Sequence, residues 1–230
     1  MTKLLPLLLC AFAFATVGAA ENNNAPTNFS QAEKALFMSN HLAGSKPTTT
    51  LRYAFRKSGS MEAGFDDKVS VMLSKQPDGS CCQAKAEFLD GPRRLVLPAV
   101  ENAQGNPVIL YFLERDVREM NRLTKGQAAY FRKRIRMAVF DGATVRETTA
   151  TYTGKSVPAR EISVTPYADD PLRVRFENLA NKQYLFTLSD AVPGGVVSIR
   201  SLVRGPASGG GDTTPLLLEE LTLDGATRNP

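Results

Sequence analysis

The sequence predicts an α+β protein in which a predominantly antiparallel sheet packs on one or two helices. Residues 48–97 and 145–203 alternate apolar and polar side chains, and this period of two is typical of half-buried strands. A helical stripe over 108–122 separates the two stretches. Short turn sequences join the strands, and short connections favour antiparallel neighbours over parallel ones.

Composition is that of an ordinary globular protein and excludes several kinds of active site. The chain has 230 residues, of which 43% are hydrophobic and 22% charged, with a net charge of +5. His41 is the only histidine, and the three cysteines stand at 10, 81 and 82. A zinc site built from several histidines and cysteines is therefore excluded, and a Ser-His-Asp hydrolase would depend on His41. We expect no catalytic residues, no metal and no cofactor.

The first 20 residues have the parts of a secretory signal peptide. Lys3 precedes an apolar run from Leu4 to Val17, and the small residues 18–20 precede a polar segment. The alternative, an uncleaved membrane anchor, needs about 20 apolar residues, which is longer than this run. We therefore expect cleavage near Ala20, a periplasmic location, no transmembrane segment in the mature chain and no nucleic-acid partner.

The rest of the chain divides into three parts. Residues 21–46 are predicted to be a disordered leader followed by an N-terminal helix. Residues 47–204 are predicted to be the antiparallel β domain, and this domain includes one helix over 107–122. Residues 205–230 are predicted to be a Gly-rich linker and an acidic, Leu-rich tail.

Both predicted helices begin at recognisable capping sequences. Ser30 and Glu33 have the spacing of a capping box, in which each side chain bonds the backbone of the other residue. The second helix begins at Asn106-Pro107, where proline at the first helical position costs no hydrogen bond. In the second half of the sheet, strands are predicted over 145–152, 157–165, 182–188 and 196–203, with a moderate helical tendency over 171–181.

The most basic segment is predicted to be a strand. As a strand, residues 130–140 place Arg132, Arg134 and Arg136 on one face and apolar side chains on the other. Such a row of like charges is either solvated or faces an anionic partner, such as a lipid phosphate or an acidic protein surface.

Two further features leave alternatives open. Cys81 and Cys82 are adjacent, and we expect free thiols rather than a vicinal disulfide or an intermolecular bridge, because a bond between neighbours closes no long loop.

The tail over 205–230 carries four acidic residues and one arginine, with five leucines between 216 and 223. It either folds back on the basic body, as a lid or an added strand, or is disordered.

The order of the predicted elements resembles that of the periplasmic proteins similar to the LolA and LolB lipoprotein carriers. The likeness extends over roughly 47–204 and includes the Pro-Gly-Gly turn at 193–195 before the last strand of that stretch. It implies an incomplete antiparallel β-barrel wrapped around a helix, with an apolar concavity that receives acyl chains. It assigns no individual binding residue.

Two functions remain. The first is an exported, non-enzymatic carrier or binding protein that holds a lipid or other apolar ligand in the half-barrel concavity. The second is a cell-envelope protein–protein interaction or assembly factor with a filled core. For the carrier, the predicted apolar lining is Phe112, Leu113, Met120, Phe131 and Ile135. The residues predicted near an anionic head group or partner are Arg132, Arg134 and Arg136.

Overall fold

The computed structural model describes residues 28–205 and 215–228. The predicted signal peptide, the first part of the predicted leader and most of the predicted linker lie outside the described residues.

Eight strands and three α-helices make up most of the described chain. The strands are β1 (Thr49–Ser58), β2 (Phe65–Lys75), β3 (Cys81–Phe88), β4 (Thr144–Tyr152), β5 (Lys155–Val164), β6 (Gln183–Leu188), β7 (Val196–Val203) and β8 (Leu217–Arg228). The α-helices are α1 (Gln31–Glu33), which continues as a π-helical turn (Lys34–Met38), α2 (Val108–Thr124) and α3 (Ala128–Asp141). Two 3₁₀ segments, Gly91–Arg93 and Arg173–Asn181, complete the set.

All eight strands belong to one antiparallel sheet in the order β3-β2-β1-β8-β7-β6-β5-β4. In the described part of the chain no pairing joins the end strands β3 and β4, so the sheet stays open. Helices pack on the sheet, which confirms the predicted α+β class and its incomplete barrel. Segment 95–100 lies along the outer edge of β3. Two isolated β-bridges hold it there, one between Ala84 and Val100 and one between Phe88 and Leu95.

The C-terminal segment is a central strand. β8 lies between β1 and β7, where Leu221 is opposite Phe55 on one side and Ile199 on the other. Leu217, Leu221 and Leu223 are buried, because alternate residues of a strand face the core. Of the alternatives stated for the tail, the added strand is therefore correct for residues 217–228.

The basic segment is helical, so the predicted strand over 130–140 is wrong. Phe131, Ile135 and Val139 recur every four residues and are all buried, as expected for the core-facing side of a helix. Arg132 and Arg136 share one side of α3, whereas Arg134 lies on another side. The three arginines therefore form no ladder.

Buried polar groups fix the start of α2 against the sheet. The Asn106 side chain accepts a hydrogen bond from the Val108 N–H at 3.1 Å and donates to Tyr53 Oη and to the Gly194 carbonyl, each at 2.8 Å. A Cβ at Gly194, whose φ is +74°, would lie 2.8 Å from the Asn106 amide nitrogen. The Pro-Gly-Gly turn thus permits a close approach that other residues would block.

Candidate ligand-binding groove

An apolar groove of about 560 Å³ lies between α1 with its π-helical turn, α2, α3 and segment 97–100. We call it the outer groove. Its apolar walls include Phe37, Leu97, Leu110, Leu113, Val117 and Ile135. Four charged residues also line it: Glu33, Glu114, Arg132 and Arg136.

The outer groove exists because α2 has apolar residues on two opposite sides. Phe112 faces the core and is 1% exposed. Leu110, Glu114 and Val117 have the spacing i, i+4 and i+7 and so share the opposite side of the helix. Leu110 remains 55% exposed, although it is a large apolar residue.

The two arginines of the groove differ in their interactions. The Arg132 guanidinium donates two hydrogen bonds to the Glu114 carboxylate, at 2.8 and 2.9 Å, the fork geometry of a bidentate pair. Arg132 in this way holds the pKa of Glu114 below its ordinary value, with a smaller contribution from Arg118. Arg136 is exposed and makes no ion pair with any residue in 28–205 or 215–228, so its charge is available at the rim.

The structure brings together some of the predicted site residues and separates others. Leu113, Ile135, Arg132 and Arg136 line the outer groove. Phe112, Met120 and Phe131 are at most 1% exposed and belong to the hydrophobic core between the helices and the sheet.

Arg134 points away from the groove. Its Nε lies 2.7 Å from Asp170 Oδ2, and Tyr130 Oη donates a hydrogen bond of 2.7 Å to the other oxygen of that carboxylate. This contact fastens α3 to the loop that follows β5. Arg134 is therefore engaged in a structural ion pair.

A buried ion pair occupies the space between α2 and the sheet. The Asp116 carboxylate is 2.6 Å from Lys182 Nζ and also accepts hydrogen bonds from Tyr184 Oη and, at 3.3 Å, from Ser201 Oγ. Asp116, Lys182 and Ser201 are fully buried. Burial and the neighbouring Asp116 carboxylate raise the pKa of Tyr184 well above its ordinary value. The space between α2 and the sheet is filled here by bonded polar groups.

His41 has a structural environment. Its Nε2 lies 2.8 Å from the Ala35 carbonyl, and the Asn106 backbone N–H donates to its Nδ1 at 3.2 Å. Nδ1 therefore accepts and Nε2 carries the proton, so both ring nitrogens are in use. Burial lowers the pKa of His41, opposed by the Ala35 hydrogen bond and by Asp190. A cavity of about 650 Å³ adjoins the ring, and more of its lining is apolar than polar.

This environment predicts a pH dependence of stability. Because the pKa of His41 is lower in the folded state, the unfolded chain takes up the proton first as the pH falls through about 6.5. The free energy of unfolding of the untagged protein should therefore fall between pH 7.5 and 5.5, as measured by chemical denaturation. His41→Gln should remove most of this fall. An equal fall in His41→Gln would show that other groups cause it.

Cys81 and Cys82 lie at the start of β3 with their Sγ atoms against each other. Free thiols and a vicinal disulfide therefore both stay alternatives for this pair. Among the described residues, no group of three or more His, Cys, Asp or Glu side chains could hold a metal ion. None of the helices within 28–205 and 215–228 combines the length and the hydropathy needed to cross a membrane.

The sequence-based prediction missed several residues that line the groove. Phe37, Leu97, Leu110 and Val117 were not predicted to line a site. The second apolar row of α2 was the available signal, since Leu110, Leu113 and Val117 are three or four residues apart and lie outside the row that includes Phe112. Nothing local indicates that segment 97–100 reaches α2.

The fold and the groove define an open, helix-packed antiparallel half-barrel with an apolar groove on its helical side. No family model matches the chain, and no curated protein is significantly similar to it. Solved structures do match. The lipoprotein LppX of Mycobacterium tuberculosis is 10% identical, with 87% of this chain and 98% of that chain covered and a TM-score of 0.36.

Two further structures give the same kind of match. LprF from Mycobacterium bovis is 14% identical over 88% of this chain and 95% of its own, with a TM-score of 0.33. A LolA superfamily protein from Nitrosomonas europaea is 9% identical over 86% of this chain and 94% of its own, with a TM-score of 0.24. One of the three matched structures thus belongs to the superfamily that the order of elements was predicted to resemble, and the likeness is weak.

Proposed function

We propose that this chain is an exported, periplasmic, non-enzymatic carrier or binding protein that holds the acyl chain of a lipid or another apolar ligand. The ligand lies in the outer groove. The observation that carries the proposal is the groove itself, with about 560 Å³ of space, apolar walls and, at its rim, Arg136, which makes no ion pair with a described residue.

The size and the chemistry of the groove suit such a ligand. Ligand sites in proteins usually have volumes of about 300–1,000 Å³, apolar walls and a few polar groups that fix orientation. Leu110 and Phe37 are 55% and 39% exposed, and an apolar chain lying against them would remove that surface from water. Leu113 and Ile135 contact the chain, whereas Phe112, Met120 and Phe131 support the groove from the core.

The charged rim supplies selectivity for an anionic head group. Arg136 has no carboxylate partner among residues 28–205 and 215–228, and it is the residue that a phosphate or carboxylate would contact. Arg132 is already held by Glu114 and shapes the rim. Because guanidinium groups form strong hydrogen bonds with carboxylates and phosphates, the proposed ligand is an amphiphile with an acyl chain and an anionic end.

A matched set of variants tests the groove. Leu110→Asp should weaken the binding of a fluorescent fatty acid in solution about tenfold or more, because it places a charge on an apolar wall of the groove. Leu172→Asp alters another exposed leucine, which is 39% exposed and distant in sequence, and should bind normally. Equal binding by both variants would place the ligand elsewhere.

Arg136→Glu tests the head group. It should weaken binding of the fatty acid while leaving binding of the matching uncharged fatty alcohol unchanged, with Arg175→Glu as the control. An equal loss for both ligands would exclude recognition of the anionic end by Arg136.

Export is a separate part of the proposal. The predicted signal peptide supports it, and cleavage near Ala20 should yield a periplasmic protein that begins at about Glu21. Intact mass measurement of the protein from fractionated Gram-negative cells tests this. Protein that retains Met1 and stays in the cytoplasmic fraction would refute export without bearing on the groove.

The second candidate function is an envelope protein–protein interaction or assembly factor. The filled interior around Asp116 and Phe112 favours it, because both side chains are at most 1% exposed. If the purified protein yields no lipid on extraction and fails to bind both the fatty acid and the fatty alcohol, this second function becomes the better account.

A further inference from the structure

The outward side of α3 combines cations that have no ion-pair partner in the described part of the chain with exposed apolar side chains. Arg136 and Phe140 are one turn apart, as are Lys133 and Met137, so the four lie in adjacent rows. Met137 is 40% and Phe140 43% exposed. We call these four residues the α3 face.

The α3 face continues into the mouth of the outer groove. Arg136 belongs to both, and across the groove stand Phe37 and Leu110, which are also large, apolar and exposed. Exposed apolar residues that cluster around one opening mark an interaction site more often than scattered ones do.

The charge around this opening is positive. Lys133 and Arg136 make no ion pair with any residue of the described ranges, and neither does Lys34 on the π-helical turn. The two acidic residues of the groove are engaged, since Glu33 accepts a hydrogen bond from the Ser30 N–H at 2.9 Å and Glu114 is paired with Arg132. Asp141 at the end of the helix is the only acidic residue of α3.

We propose that the α3 face docks on the surface of an anionic phospholipid bilayer, with the mouth of the outer groove turned toward the lipid. Helical surfaces that mix Lys or Arg with Phe, Leu or Met bind such interfaces, because the apolar side chains enter the head-group region while the cations contact lipid phosphates. This gives the proposed carrier a partner, although docking itself requires no ligand in the groove.

Vesicle sedimentation with matched double variants tests the docking. The processed, purified protein is mixed with vesicles of phosphatidylcholine alone or with added phosphatidylglycerol, at low and high salt. Lys133→Glu with Phe140→Ser should reduce binding to the anionic vesicles roughly tenfold or more. The control, Lys155→Glu with Val174→Ser, has the same net charge and alters a valine that is 85% exposed, and it should bind like the unaltered protein.

Each outcome decides the proposal. Preferential, salt-sensitive binding to anionic vesicles that is lost only in the α3-face variant supports it. Equal loss in both double variants, or equal binding to both kinds of vesicle, overturns it. Failure of the unaltered protein to bind anionic vesicles also overturns it and leaves a protein as the partner of this face. Fatty-acid binding without vesicles should be unchanged in Lys133→Glu with Phe140→Ser, because neither residue lines the groove, so the two proposals fail separately.

Discussion

Asp116→Ala is expected to lower the free energy of unfolding by about 3–5 kcal/mol, or to prevent folding, because it leaves the ammonium of Lys182 buried without a counter-ion. Lys182 is 0% exposed and its Nζ lies 2.6 Å from the Asp116 carboxylate. The hydroxyls of Tyr184 and Ser201 lose the same acceptor. Chemical denaturation measures the change, with Asp224→Ala on an exposed position of β8 as the control.

The paired variant separates the charge from the packing. Asp116→Leu combined with Lys182→Met removes both charges and keeps similar volume, so it should regain much of the lost stability. Recovery will be partial because two hydroxyls remain without their acceptor. If Asp116→Ala is no less stable than Asp224→Ala, the buried ion pair does not hold α2 to the sheet.

The second large effect on stability is expected for substitutions of Leu221. Leu221→Ala should lower the free energy of unfolding by about 2–5 kcal/mol, because the side chain is fully buried in the central strand of the sheet. Leu221→Asp should abolish folding, since it adds an unpaired charge to the core.

The adjacent residue provides the control for strand β8. Thr222 faces solvent on the same strand, and Thr222→Asp should change stability by less than about 1 kcal/mol. Similar effects at both positions would mean that β8 does not insert with the register described. Far-ultraviolet circular dichroism shows whether each variant folds, and denaturant titration gives its stability.

Local sequence patterns were sufficient to predict the helices that begin at capping residues. The capping box predicted from Ser30 and Glu33 is present, with the Ser30 Oγ accepting from the Glu33 N–H at 3.1 Å. The helix predicted over 107–122 is α2, Val108–Thr124. Alternation located most strands of the sheet, because period two persists wherever one face is buried.

The basic segment was misread because a short run fits both periods. Over residues 131–136, Phe131 and Ile135 alternate with arginines and also stand one helical turn apart. Val139 continues the spacing of four residues, which only a helix explains. The pairing of β8 with β1 could not be predicted, since the partners are about 170 residues apart and no local pattern specifies them.

Only part of the groove lining could be predicted from the sequence, because local periodicity does not specify how the elements pack. An amphipathic stripe identifies which side of a helix is apolar, but α2 is buried on more than one side, and Phe131 and Ile135 share the single buried side of α3. All four residues belong to the core cluster, and only the packing of segment 97–100 and the π-helical turn makes Leu113 and Ile135 also line the groove, unlike Phe112 and Phe131.

Photolabelling with a fatty acid that carries a diazirine on its chain is the most direct test of the central claim that the outer groove holds an apolar chain. Peptide mass spectrometry should find saturable labels within residues 97–117 and 132–136, and competing fatty acid should suppress them. Labels confined to the cavity beside His41, or labelling that does not saturate, would contradict the claim.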